Sequence, residues 1–352
     1  MAFIQEIGLG LASYTYQQQD ICAFMQRHFK IPSQDMDKIQ RMYDRSGIST
    51  RYSVLPDFNP AQQRTVLFHA NHVPDMESRM QVYFQEALPL CLKAIQQLSD
   101  RSLVQLTHLI TVSCTGMAAP GLDIQLIEAL ELNPGIQRSS INFMGCYAAI
   151  HALKQAQAIC HSDANARVLI VDIELCTLHF QSEYSLEQMA SSMLFGDNAA
   201  ALIVSNESGL YELRNFYSEV ALEGQRDMAW QLCSTGFKMT LSTFVPNLIA
   251  SRIQPMLQKC LELSGLQQND IRYWAIHPGG LKILREIQTA LNINDDDLSF
   301  SKHILNHYGN MSSVTLLFLL HFIAQQNQEH GMVFGAAFGP GLTLETLTLK
   351  RC

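Results

Sequence analysis

The chain has 352 residues, 47% hydrophobic and 16% charged, enough for two compact domains or for one large globule with a duplicated core. With 9% aromatics, 19 glycines and 11 prolines, it is excluded from the disordered, collagen-like and disulfide-stapled miniprotein classes. A net charge of -8 gives no extended positive field, which argues against nucleic-acid binding but leaves room for a locally basic mouth around a phosphorylated ligand.

The 9 cysteines are scattered and form no C-x-x-C pair, so reduced thiols in a cytosol are expected rather than a disulfide framework or a zinc ribbon. The N-terminal MAFIQEIGLGLASYTYQQQD lacks a basic n-region, and no apolar run reaches the roughly 18 residues of a membrane span. The expectation is a cytoplasmic protein, neither exported nor membrane-spanning.

In chain order, apolar Met80, Phe84, Leu88, Cys91, Ile95 and Leu98 recur at spacings of three and four, which predicts a helix over 79–98 bent at Pro89. LTHLITVS (106–113) predicts a buried strand that ends at Ser113-Cys114-Thr115-Gly116. SSINFM (139–144) predicts a second strand, which Gly145 breaks before an Ala- and Leu-rich helix opens at Cys146. ARVLIVDI (166–173) and NAAALIVS (198–205) predict two more. The polar stretch SNESG (205–209) places a boundary between an N-terminal half, 1–207, and a C-terminal half, 208–352. The second half predicts a helix over 246–263, a strand over 272–278, a helix over 281–291, a loop at Tyr308-Gly309-Asn310, a helix over 314–325 and two closing strands within 331–349 joined by a glycine turn. Strands alternating with helices predict an α/β architecture.

Cys146 stands out because a thiol at a helix N-terminus meets free N–H groups and the positive end of the macrodipole, which lower its pKa and make it a nucleophile. Cys22, Cys91, Cys160 and Cys260 fall within helical apolar patterns and read as small buried hydrophobes. A thiolate needs a cationic or hydrogen-bonding partner, and His277, at a strand end before Pro278-Gly279-Gly280, is best placed of the 12 histidines. Asn310 is a loop amide ahead of a helix, which alone reads as a turn former. His69-Ala-Asn-His72 and His303-Ile-Leu-Asn-His307 lack the context of a metal site, and no metal is expected.

Together these pieces are more specific. SCTGMAAPGLD (113–123), NFMGCYAAI (142–150), LFGDNAAALIV (194–204), WAIHPGG (274–280), YGNMSS (308–313) and AAFGPGLTLE (336–345), with KIQRMYDRSGISTRY (38–52), occur in a characteristic order. Over essentially the whole chain they resemble the type III polyketide synthases of bacterial type, the chalcone synthase-like enzymes of the thiolase superfamily. Ketoacyl synthases of the third type also use Cys, His and Asn, but carry His-Gln-Ala-Asn where this chain has His277-Pro278-Gly279-Gly280.

The resemblance implies an α/β thiolase-like fold with duplicated halves in α-β-α-β-α layers, a homodimer, and an acyltransferase that uses acyl-CoA and malonyl-CoA without a metal or other cofactor. It makes Cys146 the acyl-carrying nucleophile, paired as a thiolate with imidazolium His277, and makes His277 and Asn310 the pair that drives decarboxylation. Phe195 is similar to the first gatekeeping phenylalanine and Met239 stands where the second would be. Cys114 replaces a Thr, Ala119 a Met that reaches across the dimer, and His179 a cavity-lining Thr; Ser312 joins these substrate-binding positions. Lys38, Arg41 and Arg45 fall where basic residues grip the CoA phosphates. The departures predict space near the nucleophile for medium to long aliphatic starters and an alkylpyrone or alkylresorcinol product. Alternatives are a ketoacyl synthase III-like single condensation, a malonyl-primed phloroglucinol or naphthalene synthase, a Cys-His-Asn hydrolase, and a non-condensing acyl-CoA binder.

Overall fold

The computed structural model describes residues 1–29, 31–59, 65–69, 72–326 and 330–352. In chain order the elements are β1 (Phe3–Leu11), β2 (Tyr14–Gln17), α1 (Gln18–His28), α2 (Ser33–Asp44), β3 (Thr50–Ser53), α3 (Met76–Ile95), β4 (His108–Ser113), α4 (Leu122–Ala129), β5 (Gln137–Asn142), α5 (Ala148–Ser162), β6 (Arg167–Leu175), α6 (Leu186–Leu194) and β7 (Asp197–Ser205). The second half continues with β8 (Tyr211–Val220), β9 (Met228–Cys233), β10 (Gly236–Leu241), α7 (Val245–Ser264), β11 (Ile271–Ile276), α8 (Leu281–Leu291), α9 (Ser299–Tyr308), α10 (Val314–Gln325), β12 (Gly331–Gly339) and β13 (Thr343–Arg351).

Nine strands form one mixed sheet in the order β11-β12-β13-β8-β1-β7-β6-β4-β5. The first half supplies β1, β7, β6, β4 and β5, the second β8, β13, β12 and β11, and a short ladder at Phe3↔Glu212 and Ile4↔Tyr211 joins them. β4 runs parallel to β5 and β6, and β11 parallel to β12, as the intervening helices require. β6 and β7 are buried almost throughout, so their continuous apolar runs never alternate. α10 is buried over Val314–Leu320 and packs on strands of both halves, which explains why its sequence is apolar all round.

Most expected elements are found, with ends shifted by a few residues. α3 begins at its N-cap Asp75, whose side chain accepts from the Ser78 N–H, and continues through Pro89 to Ile95. α7 runs from Val245, with Pro246 in its first turn, to Ser264, where Gly265 adopts φ 64° as the left-handed cap. β1 escapes a pattern-based reading because Gly8 and Gly10 interrupt it. A Cβ at either would lie 2.1 Å from the Ala94 carbonyl oxygen or 2.5 Å from that of Leu90, so these glycines let α3 lie directly against the strand. Among the described residues no helix is long and apolar enough to cross a membrane.

Candidate active site

Cys146 lies between β5 and α5, at a turn built from strained backbone. Phe143 has φ 61° and Gly145 φ 91°, and a Cβ on Gly145 would stand 2.3 Å from Pro340 Cδ, so only glycine fits. The Gly145 N–H donates to Cys114 Sγ at 3.0 Å, which ties the turn to the segment after β4. Cys146 thus has the position expected of it, but not the expected acidity. Burial pushes its thiol up to about 12, outweighing the hydrogen bonds from Ser312 and Asn310 that favour the thiolate.

His277 follows β11, fixed by its N–H to the Ala336 carbonyl at 2.8 Å. Burial lowers it to about 3, which disfavours the imidazolium expected beside a thiolate. Neither ring nitrogen has a hydrogen-bond partner among the described residues, an arrangement that suits groups reserved for a substrate. Burial thus disfavours the charged form of each group, and nucleophilic attack from the neutral forms requires the proton to move as the bond forms.

Asn310 is latched to the Phe195 turn from both sides. Its N–H donates to the Leu194 carbonyl at 2.8 Å and its carbonyl accepts from the Gly196 N–H at 3.0 Å. The buried Arg51 guanidinium supports the same turn, donating to the Ser192 and Phe195 carbonyls at 2.5 and 2.7 Å. Arg51 was not singled out from the sequence, because nothing local marks a cation that spends its charge on backbone oxygens.

One cavity of about 40 Å³ brings together Cys146, His277, Asn310, Ser312, Phe195 and Met239. Its wall also contains Trp230, which sequence reading missed. Trp230 pairs directly with Met239 across the β9–β10 hairpin, and its indole lies 6.3 Å from the Phe195 ring and 6.0 Å from that of Phe237. The available signal was two period-two runs, MAWQLC and GFKMTL, around a Ser-Thr-Gly turn. The space expected beside the nucleophile is thus occupied by an indole.

The remaining positions lie elsewhere. Cys114 is buried behind the Cys146 turn. His179 lies tilted against Phe237 with ring centroids 4.3 Å apart and donates its Nε2–H to the Thr115 carbonyl at 3.2 Å, forming a second layer behind Trp230. Ala119 is exposed in a separate groove of about 480 Å³ with Arg138 and Asn142. Lys38 and Arg41 are exposed on α2 and Arg45 caps it. Only Arg45 lines an open, apolar cavity of about 300 Å³ that shares Leu241, Gly279 and Ile283 with the Cys146 cavity. Lys282 lines that mouth too and had not been recognised. His303 and His307 lie tilted against each other on α9 with ring centroids 4.2 Å apart; of the His69–His72 run, residues 70 and 71 lie outside the described residues.

The model for the N-terminal domain of chalcone and stilbene synthases matches residues 1–208, and that for their C-terminal domain matches residues 212–352. The chain belongs to the chalcone and stilbene synthase family. It is a type III polyketide synthase, an enzyme of the acyltransferase type with the thiolase-like fold. "Alpha-pyrone synthesis polyketide synthase-like Pks18" of Mycobacterium tuberculosis is 30% identical over 364 residues, covering 98% of this chain and 90% of that protein. "Probable polyketide synthase 1" of Dictyostelium discoideum is 27% identical over 363 residues; the synthase is covered to 99% but spans only 11% of that relative. Among solved structures, the C-terminal type III polyketide synthase domain of Steely1 from Dictyostelium superposes with a TM-score of 0.91 at 26% identity, with 99% of each chain covered. PKS-I of the brown alga Ectocarpus siliculosus superposes with a TM-score of 0.90 at 25% identity, over 100% of this chain and 98% of that one.

Proposed function

We propose that the synthase loads an acyl group from acyl-CoA onto Cys146 and extends it with malonyl-CoA by decarboxylative Claisen condensation. The observation that carries this reading is the convergence of Cys146, His277 and Asn310 on one largely closed, mostly apolar cavity. Cys146 Sγ attacks the thioester carbonyl while His277 takes its proton; the tetrahedral adduct collapses, the C–S bond to CoA breaks, and the departing sulfur receives that proton. His277, neutral again, has one N–H to offer. With the Asn310 amide it holds the malonyl thioester oxygen as CO2 leaves and the enolate forms. The enolate carbon attacks the Cys146 thioester and expels the Cys146 thiolate, and the elongated chain, now on CoA, returns to Cys146 for the next round. Phe195, Met239 and Trp230 exclude water that would protonate the enolate.

CoA thioesters are the only cosubstrates in this scheme, and no metal or other cofactor takes part. The name of the mycobacterial relative supports a pyrone product, for which we propose an alkyl substituent, and ring closure to an alkylresorcinol is the related outcome. The 40 Å³ cavity favours a second reading, a small-starter or malonyl-primed synthase, unless Trp230 swings aside for a longer chain. A homodimer is supported by β5, an edge strand whose exposed residues leave one ladder unpaired beside the groove that holds Ala119. The decisive experiment measures CoA released from an acyl-CoA panel with and without labelled malonyl-CoA, with products identified by mass. Release stimulated by malonyl-CoA together with an extended product supports the reading; malonyl-independent hydrolysis, or no release, sinks it.

A further inference from the structure

Two carboxyl groups lie buried beneath the site with no part in the chemistry above. Asp172 and Glu174 are both 0% exposed on β6, two residues apart and therefore on one face of the strand. Ser313 Oγ lies 2.8 Å from Asp172 Oδ1 and 2.8 Å from Glu174 Oε1. A serine hydroxyl has one hydrogen, while two ionised carboxylates offer only acceptors. Two such contacts need two hydrogens, so one must sit on a carboxyl group.

The groups facing the two carboxyls are the thiols of Cys91, Cys114, Cys146 and Cys176, the Tyr83 phenol and the Ser312 hydroxyl, none of them a cation. Burial holds both carboxyls above the ordinary carboxylate range, and the Glu174 charge raises Asp172 further. The bridge joins the catalytic segments. Glu174 Oε2 accepts the Cys114 N–H at 3.0 Å, and Cys114 Sγ accepts the Gly145 N–H just before the nucleophile. On the other side, Ser313 follows Ser312, whose N–H is held by Asn310 Oδ1 at 2.8 Å.

We propose that Asp172 and Glu174 share one proton through Ser313, and that Asp172 is thereby a positioning residue which keeps the Cys146 turn and the Asn310 loop in register. Losing the shared proton leaves two adjacent anions and one serine hydrogen, so one arm of the bridge opens. The proposal rests on the condensing role of Cys146 only for its kinetic consequence. Burial holds Cys146 up and His277 down, so a pH step in acylation near neutrality points to another group.

The test compares the wild-type enzyme with Asp172→Asn, whose amide donates to Ser313 and so keeps the bridge without the shared proton. Single-turnover CoA release from acyl-CoA is followed from about pH 6 to about pH 10, alongside infrared detection of the protonated-carboxyl carbonyl stretch and thermal unfolding to confirm the fold. In the wild type we expect that band near about pH 8, and a reversible fall of up to about tenfold per pH unit once the shared proton is lost. In folded Asp172→Asn the band at about pH 8 disappears and the fall above that pH is lost, leaving only the titration of Glu174 at about 7. Superimposable pH profiles, or a wild type without the band, overturn the proposal. An enzyme that shows the band but releases no CoA sinks the condensing reading while upholding the shared proton.

Discussion

Asn310 Oδ1 accepts the backbone N–H of Ser312 at 2.8 Å, which fixes the flip of the amide and assigns its Nδ2 hydrogens to the cavity side. Ser312 reaches this geometry at φ 51°, outside the usual range for a serine, so the contact is held by the surrounding fold. Asn310→Asp preserves the shape and the acceptor but removes the donor. We expect CO2 release from malonyl-CoA to fall about 100- to 1,000-fold, the usual loss for one oxyanion donor, with acylation of Cys146 affected less. Undiminished decarboxylation in a folded variant would remove Asn310 from the chemistry.

The Trp230–Met239 pair sets the available volume. Trp230→Ala should extend the accepted starter by several carbons, with kcat/KM rising about fourfold per methylene, equivalent to about 0.8 kcal/mol, until the enlarged tunnel ends. Met239→Phe should act in the opposite direction. The check is a chain-length series of acyl-CoAs on each variant; identical profiles for Trp230→Ala and the wild type would show that the indole already moves aside freely.

At the open mouth, Arg45 and Lys282 flank the apolar lining. Changing both to alanine should raise KM for acyl-CoA and malonyl-CoA together while kcat changes less, the pattern of lost uniform binding. The effect should shrink as salt rises. The same substitutions at Lys38 and Arg41, which lie outside this cavity, should act more weakly. A pure kcat effect would reject a phosphate-binding role.

His179 is buried, and burial followed by the nearby Arg79 lowers it from 6.5 to about 3. The folded state therefore binds fewer protons than the unfolded chain, so the stability held by neutral His179 is present above 6.5 and is lost as pH falls towards 3. Asp197, raised to about 6 mainly by burial, works in the opposite direction in both proteins being compared. His179→Phe should accordingly lose less Tm than the wild type between about pH 7 and about pH 4.5, as read by thermal unfolding. Equal losses would show that His179 does not carry this linkage.

Much of the molecule was written in local pattern. The apolar runs of β4, β6 and β7, the periodic face of α3, the glycine before Cys146 and the strand-end position of His277 are legible because period and turn chemistry act over a few residues. Three features lay beyond that range. Trp230 joins the cavity only because the β9–β10 hairpin folds over the nucleophile, and Arg51 matters only because a turn more than 140 residues away presents carbonyls to it. The protonation states were the least legible of all. A helix N-terminus favours a thiolate, and that much follows from sequence, but burial is a sum over everything packed around the group. Only the tertiary structure decides how far burial disfavours the charged forms of Cys146 and His277, because that desolvation comes from residues spread across the whole chain.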